Sequence, residues 1–196
     1  MSELPQDALE TIFLSARSRN GWQDKPVPES LLREIYDIAK IGPTTMNSQP
    51  QRIVFVTTQA GKKKLEPALA DGNRVKAMSA PVVAIFAFDL HFYELLPKLF
   101  PHFPGAKDLF AGKDAHNHET AFRNGSLQAA YFMIAARAKG LDCGPMSGFD
   151  QGKVNEAFFP DGRFKSNFIC ALGYGTDERL FARSPRLTFE EACRLE

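Results

Sequence analysis

The stretch that most constrains this chain is residues 119–139, which reads as one long helix with alanine and aromatic positions on nearly every face. Such a helix has no side to give to water and must be buried centrally. The chain has 196 residues, enough for one domain with a real core. In a domain of that size, a helix of this kind predicts a seam between two copies of the chain. A second constraint is residues 80–88, apolar without interruption. That run is too short to span a bilayer and reads as a strand covered on both faces.

The rest of the chain fills in around these two elements. Residues 5–19 carry Leu9, Ile12, Phe13 and Ala16 at helical spacing and predict a first helix closed by Arg17, Ser18 and Arg19. A second helix opens at Val27-Pro28-Glu29-Ser30, places Leu31, Leu32, Ile35, Ile38 and Ala39 on one face, and stops at Gly42-Pro43. Residues 52–57 predict a strand, and 59–70 a helix whose Lys62-Lys63-Lys64 run is a solvated face. Two further strands are expected at 141–146 and 168–172, with a short helix at 154–158 between them. Pro97, Pro101, Pro104 and Gly105 break residues 91–115 into an irregular, aromatic-rich segment, a lid or an interface flap. A C-terminal extension from about 176 carries a last helical turn at 189–195. This predicts a single α+β domain, a sandwich of helices on a mixed or antiparallel sheet. No G-x-G-x-x-G and no Walker loop occurs, so a nucleotide held by either device is not expected.

Composition narrows the partners. Lys+Arg 24 against Asp+Glu 23 gives a nucleic acid no field to follow. The N-terminus lacks the basic-then-apolar order of a signal peptide, and no membrane association is expected. Cys143, Cys170 and Cys193 are odd in number and scattered, neither a disulfide framework nor a zinc pattern. They predict a reduced, cytoplasmic protein. His116-Asn117-His118-Glu119 does not predict a metal site, because alternate helical residues point to different sides.

The candidate chemistry lies in polar segments. Gly42-Pro43-Thr44-Thr45-Met46-Asn47-Ser48-Gln49-Pro50 is a loop stiffened by prolines and filled with short hydroxyl and amide side chains. It offers hydrogen bonds rather than core. Arg17, Ser18 and Arg19 suit an anion, since the guanidinium fork matches a phosphate; the plainer reading is cations complementing a helix dipole. Asn73 and Lys76 share one face of a helical turn, and the plainer reading is a cap and a solvated amine. Residues 140–150 form a glycine-flanked turn in which Gly148 lets backbone approach a flat ligand; the plainer reading is an ordinary loop capped by Asp150. No nucleophile and no acid–base dyad stands out, so in an enzyme a cofactor would carry the chemistry.

Taken in order, these segments resemble the FMN-dependent nitroreductase family over nearly the whole chain. The resemblance rests on Arg17-Ser18, on the loop Pro43 to Pro50, on Asn73 and Lys76, on Gly148-Phe149-Asp150, and on a basic C-terminal segment with Arg183 and Arg186. It implies an obligate homodimer in which both chains build each FMN site. Arg17, Ser18, Arg19, Asn73, Lys76, Arg183 and Arg186 would bind one FMN. Pro43, Thr44, Thr45 and Asn47 would reach it from the other subunit, and Pro145, Met146, Ser147 and Gly148 would face the ring near N5. The implied reaction is ping-pong, with NADH or NADPH as donor.

Three departures stand out: Ala16 where many members have an arginine, Gln51-Arg52 in place of a tryptophan, and Ser147 in place of a glutamate. Together with Asn20-Gly21-Trp22 and residues 119–124, they are similar to one subgroup, the malonic semialdehyde reductases of bacterial pyrimidine utilisation. That likeness implies reduction of malonic semialdehyde to 3-hydroxypropanoate, with Arg123 or His102 anchoring the substrate carboxylate. Two other readings stay open. One is a broad nitro or quinone reductase with residues 91–110 as an apolar lid. The other is a flavin-binding protein without turnover, its nicotinamide site weakened by Ser147.

Overall fold

In the computed structural model, which describes residues 3–196, the chain opens with α1 (Gln6–Leu9) and runs into a π-helical turn at Glu10–Leu14. The Ser15 N–H donates to Glu10 O at 2.8 Å and its hydroxyl to the Glu10 carboxylate at 2.5 Å, which closes that wider turn. The helix expected over 5–19 is therefore shorter. Arg17, Ser18 and Arg19 lie beyond it in extended chain, because Ser18 makes a parallel bridge with Cys143 and the Arg19 N–H donates to Cys143 O at 3.2 Å.

β1 (Gly21–Trp22) and α2 (Glu29–Ala39) follow, the helix burying Leu32, Ile35 and Ala39. Next come β2 (Gln51–Val56), α3 (Gln59–Leu65), α4 (Asp71–Ser79) and β3 (Val82–Asp89). Lys62 departs from the solvated face expected of its run: it is buried, and its Nζ donates to the carbonyls of Met78 and Ala80. All of β3 is buried, as its apolar run predicts.

Residues 91–113 hold α5 (Leu96–Leu99) among 3-10 turns. This segment has a small core of its own, Phe92, Leu96, Ala106 and Phe110 against Phe88 and Ala121. α6 (Asp114–Ala138) begins earlier than the apolar pattern does. Then come β4 (Asp142–Met146), α7 (Gln151–Phe158), β5 (Phe164–Gly173), β6 (Gly175–Thr176) and α8 (Phe189–Ala192). Asp150 caps α7, accepting from the Lys153 N–H at 3.0 Å.

The main sheet runs β2-β3-β5-β4 with every neighbour antiparallel, and β1 pairs β6 in a small second sheet. Alternation along a strand sorts the core into two layers. Val82, Ala84 and Phe86 pack with Leu32, Ile35 and Phe132 under α2 and α6. Val83, Ile85 and Ala87 pack with Leu65, Ala77 and Val154 under α3, α4 and α7. α6 covers the first layer with Ala129, Phe132 and Ala136, while Phe122 and Leu127 on its other side are 47% and 43% exposed. Its own chain thus covers only half of the helix. Among the described residues no helix is long and apolar enough to cross a membrane.

Candidate functional site

One group of polar residues gathers along β4. Gly140, at φ 81°, ends α6 in the left-handed conformation and turns the chain into that strand. Ser18 and Arg19 lie against its free edge. Lys76 reaches across from α4, and its Nζ donates to Pro145 O at 3.4 Å. Gly144 makes room for it: a Cβ there would stand 2.4 Å from Lys76 Cε and 2.8 Å from Arg19 O. Asn73, one turn earlier, donates from Nδ2 to Gly148 O at 3.0 Å, and a Cβ on Gly148 would meet that nitrogen at 2.6 Å. The two glycines therefore allow close backbone approach at both ends of the turn that carries Pro145, Met146 and Ser147.

Lys76 is buried rather than solvated, and burial pushes its ammonium below the ordinary lysine value. A buried amine without a carboxylate is costly unless an anion answers it. Among its own contacts it has only the weak acceptor Pro145 O.

Ser18, which bridges Cys143 of β4, also lines an open cavity of about 810 Å³ with Arg17, Arg137, Arg183 and Arg186, with no carboxylate in its wall. Backbone carbonyls hold the arginines in place. Arg17 Nη2 donates to Phe181 O at 2.5 Å, and Arg183 Nη2 to Leu14 O at 2.6 Å and Ala16 O at 3.2 Å. The C-terminal segment is thereby folded back on the end of the first helix. A concavity walled by guanidinium groups attracts anions and offers them bidentate donors. Arg137 was not among the residues that the sequence singled out, because as one cation in a helical last turn it carries no pattern of its own.

Arg19, expected in the same anion-binding set, is placed differently. Its guanidinium is engaged by Asp142 at 3.3 Å and Asp177 at 2.5 Å and by Thr176 O at 3.3 Å. It clamps the second small sheet to β4 and lies outside the cavity wall.

The loop from Pro43 to Pro50 is elsewhere. Gly42 lies so close to the Tyr131 ring that a Cβ would stand 2.1 Å away, and Tyr131 Oη donates to Pro43 O at 3.2 Å. Thr45 N–H donates to Asn124 Oδ1 at 2.8 Å, and Asn47 Nδ2 donates to Leu99 O at 2.8 Å. Met46, Asn47 and Gln49 have φ of 51°, 48° and 41°, left-handed values interrupted only by Ser48 at φ -67°. The result turns Pro43, Thr45 and Asn47 outward while Ser48 and Pro50 are buried. Arg52 ties the loop down, donating to Gln49 O at 3.1 Å and pairing with the buried Asp89 at 2.7 Å, which also holds Arg163 at 3.0 Å. A rise of about 1.5 Å per residue sets Asn124 about 20 Å from Arg137 along α6. One chain does not bring the loop and the arginine cavity together.

Arg123 and His102 lie outside both groups. Arg123 is on the outward face of α6, paired with Glu119 one turn away. His102 is exposed in a turn and packs on Phe100 with ring centroids 3.9 Å apart. His116 stacks on Phe110 while His118 meets Phe88 edge-on, so the two face different neighbours.

The comparisons with known proteins agree with one another. The model of the nitroreductase family matches residues 15–174. A Cupriavidus pinatubonensis relative is 56% identical over 96% of this chain and 97% of its own length, and HadB of Ralstonia pickettii is 56% identical over 96% and 97%. Both names pair NADH dehydrogenase with NAD(P)H nitroreductase. Among solved structures, the Bacillus subtilis nitroreductase-type protein ydfN superposes with a TM-score of 0.89 at 22% identity, over 98% of this chain and all (100%) of that one. An Exiguobacterium sibiricum structure solved with FMN gives 0.83 at 18% identity over 100% of both chains.

Proposed function

The chain belongs to the nitroreductase family, and from that premise we propose an NAD(P)H oxidoreductase whose FMN lies between two copies of the chain. The observation that carries this reading is the buried Lys76 amine beside Asn73 and Gly148, together with a cavity of arginines without a carboxylate. These residues fit FMN at both ends. Arg17, Ser18, Arg183 and Arg186 offer donors to the phosphate, while Asn73 and Lys76 offer an amide and a cation to the pyrimidine side of the ring. Pro145, Met146, Ser147 and Gly148 form the wall against the ring. Bound there, FMN supplies two-electron chemistry between NAD(P)H and an acceptor. The chain's own part is to hold the ring, place positive charge beside it and keep one face open.

The second copy accounts for what one copy leaves unfinished. The outward face of α6 presents Phe122, Leu127 and Ala130, and the exposed C-terminal segment presents Phe181, Leu187, Phe189 and Leu195. Both are apolar surfaces that a seam would cover. Pro43, Thr44, Thr45 and Asn47 of one chain then serve the FMN held by its partner. Cys143, Cys170 and Cys193 are unpaired, which suits the reducing cytoplasm.

For the acceptor, we propose malonic semialdehyde, reduced to 3-hydroxypropanoate. Arg123 lies on the same outward stripe of α6 as Phe122 and Leu127. His102 follows the segment that anchors Asn47. Either cation would hold the substrate carboxylate once two chains meet. The neighbouring exposed Phe103 and Leu109 favour, as a second reading, broader nitro and quinone acceptors.

Anaerobic titration of the FMN-loaded protein with NADH and then NADPH tests the core of the reading. Bleaching of the yellow protein followed by reoxidation with malonic semialdehyde is the expected result. A protein that takes up no FMN sinks it. For the acceptor, Arg123→Ala should lower turnover of the aldehyde acid far more than that of a neutral quinone.

A further inference from the structure

The wall of the arginine cavity contains one residue that no motif points to. Arg137 sits in the last turn of α6. A cation there would serve the helix dipole equally well from solvent, yet Arg137 is half-buried and turned toward the end of the first helix. Its Nη1 donates to Ile12 O at 3.0 Å. Its Nε is buried and has no acceptor at all. The same guanidinium lines the cavity with Arg17, Ser18, Arg183 and Arg186.

We infer that Arg137 forms the floor of the anion site and selects the phosphorylated cofactor, FMN, over riboflavin; this rests on the flavin reading given above. Three arguments converge on it. A buried guanidinium N–H without an acceptor is an unmet hydrogen-bonding demand on a cation that also lines the cavity. Arg17 and Arg183 each have one donor committed to a backbone carbonyl that holds the C-terminal segment in place. Both come from chain without regular secondary structure, whereas Arg137 comes from the long helix that packs on the main sheet. The bond to Ile12 O fixes the guanidinium in position before any ligand arrives. Pre-positioned donors of this kind lose little freedom when a phosphate binds. Arg137's hydrogen bond goes to Ile12 and the cavity it lines includes neither Asn73 nor Lys76, so its expected contribution is to the phosphate end.

The test is titration of the full-length apoprotein with FMN and, separately, riboflavin, following flavin fluorescence. The wild type should prefer FMN. Arg137→Gln should weaken FMN about tenfold, about 1.4 kcal/mol, and leave riboflavin unchanged. Arg137→Lys, which keeps the charge without the fork, should recover part of the loss. Inorganic phosphate should compete with FMN in the wild type and much less in Arg137→Gln. If FMN and riboflavin weaken together, Arg137 is only a clamp on Ile12 and the inference fails. It fails equally if FMN binding does not change in Arg137→Gln while the wild type binds FMN normally. A wild-type protein that binds neither flavin overturns the flavin reading itself, a result distinct from both.

Discussion

Around Lys76 the chain stores an electrostatic cost, and around Met46 it stores a conformational one. At Lys76 the backbone is relaxed and regular, but an amine is buried beside no carboxylate. At Met46, Asn47 and Gln49 no charge is buried, but three left-handed φ values fall within four residues, two of them on Met and Gln side chains that disfavour them. The first cost is relieved by an anion, because a negative charge restores what desolvation removed. The second is unaffected by a ligand and must be overcome by the chain's own bonds, to Asn124, Leu99, Arg52 and Tyr131. A half-site that waits for its ligand can stay open. On the proposed two-chain site, a loop presented to another molecule has to arrive already shaped.

The loop half depends most on Asp89, and the largest effect is expected there. Asp89 is 1% exposed and holds both Arg52 and Arg163, each about one quarter to one third exposed. Asp89→Asn leaves two guanidinium groups facing a neutral amide. Breaking such a pair from one side costs about 3–5 kcal/mol when fully buried, and partial exposure of the arginines puts this case near about 3 kcal/mol. For a chain of this length that is a fall in melting temperature of about 6–12 °C. An unchanged melting curve would mean the network is decoration and the loop is held by other bonds.

A mixed-dimer experiment tests the division of labour itself. Arg17→Glu damages the cavity half and Asn124→Leu releases the loop at Thr45, so each homodimer should bind FMN at least about tenfold more weakly. If each FMN is served by two chains, a dimer of one variant with the other has one site with both defects and one with neither. Co-purified mixed dimers should then recover up to half the wild-type FMN stoichiometry at wild-type affinity. No recovery would place both halves in the same chain.

Much of this was legible in sequence, for reasons that differ by element. β3 was readable because burial on both faces leaves no polar position to blur it. Asn73 and Lys76 were readable as a pair because helical spacing fixes their common face, but the burial of Lys76 was not. That burial comes from Gly144, on a strand far along the chain, leaving space for the lysine stem. Lys62 escaped notice for the same reason, since its carbonyl partners belong to the end of the next helix. The first helix was overextended because Ala16 continues the apolar spacing, while the Ser18–Cys143 bridge that stops it is long-range. Arg19 was assigned to the anion set on its neighbours' account. Its partner Asp142 enters through the bridge of this segment to β4, and Asp177 through the pairing of β1 with β6.

The smallest effect, and the one that separates the two kinds of stored cost, is expected at Lys76. Burial lowers its folded-state value below the ordinary 10.5, so in the window just below 10.5 the unfolded chain binds more protons than the folded one. Stability from this group therefore rises with pH across that window, the reverse of a lysine with a carboxylate partner. Lys76→Met keeps the stem and removes the charge. Without flavin it should stabilise the protein by about 1 kcal/mol, a rise of about 2–4 °C, and flatten the alkaline rise relative to wild type. The difference curve isolates it from Lys62, whose value is also lowered by burial. With FMN the same variant should bind more weakly and hold the reduced flavin less well, since no cation then faces its negative charge. Opposite signs in the two states identify a residue whose burial is maintained for a ligand. Destabilisation in both would make Lys76 an ordinary structural lysine, and the contrast with the Met46 loop would collapse.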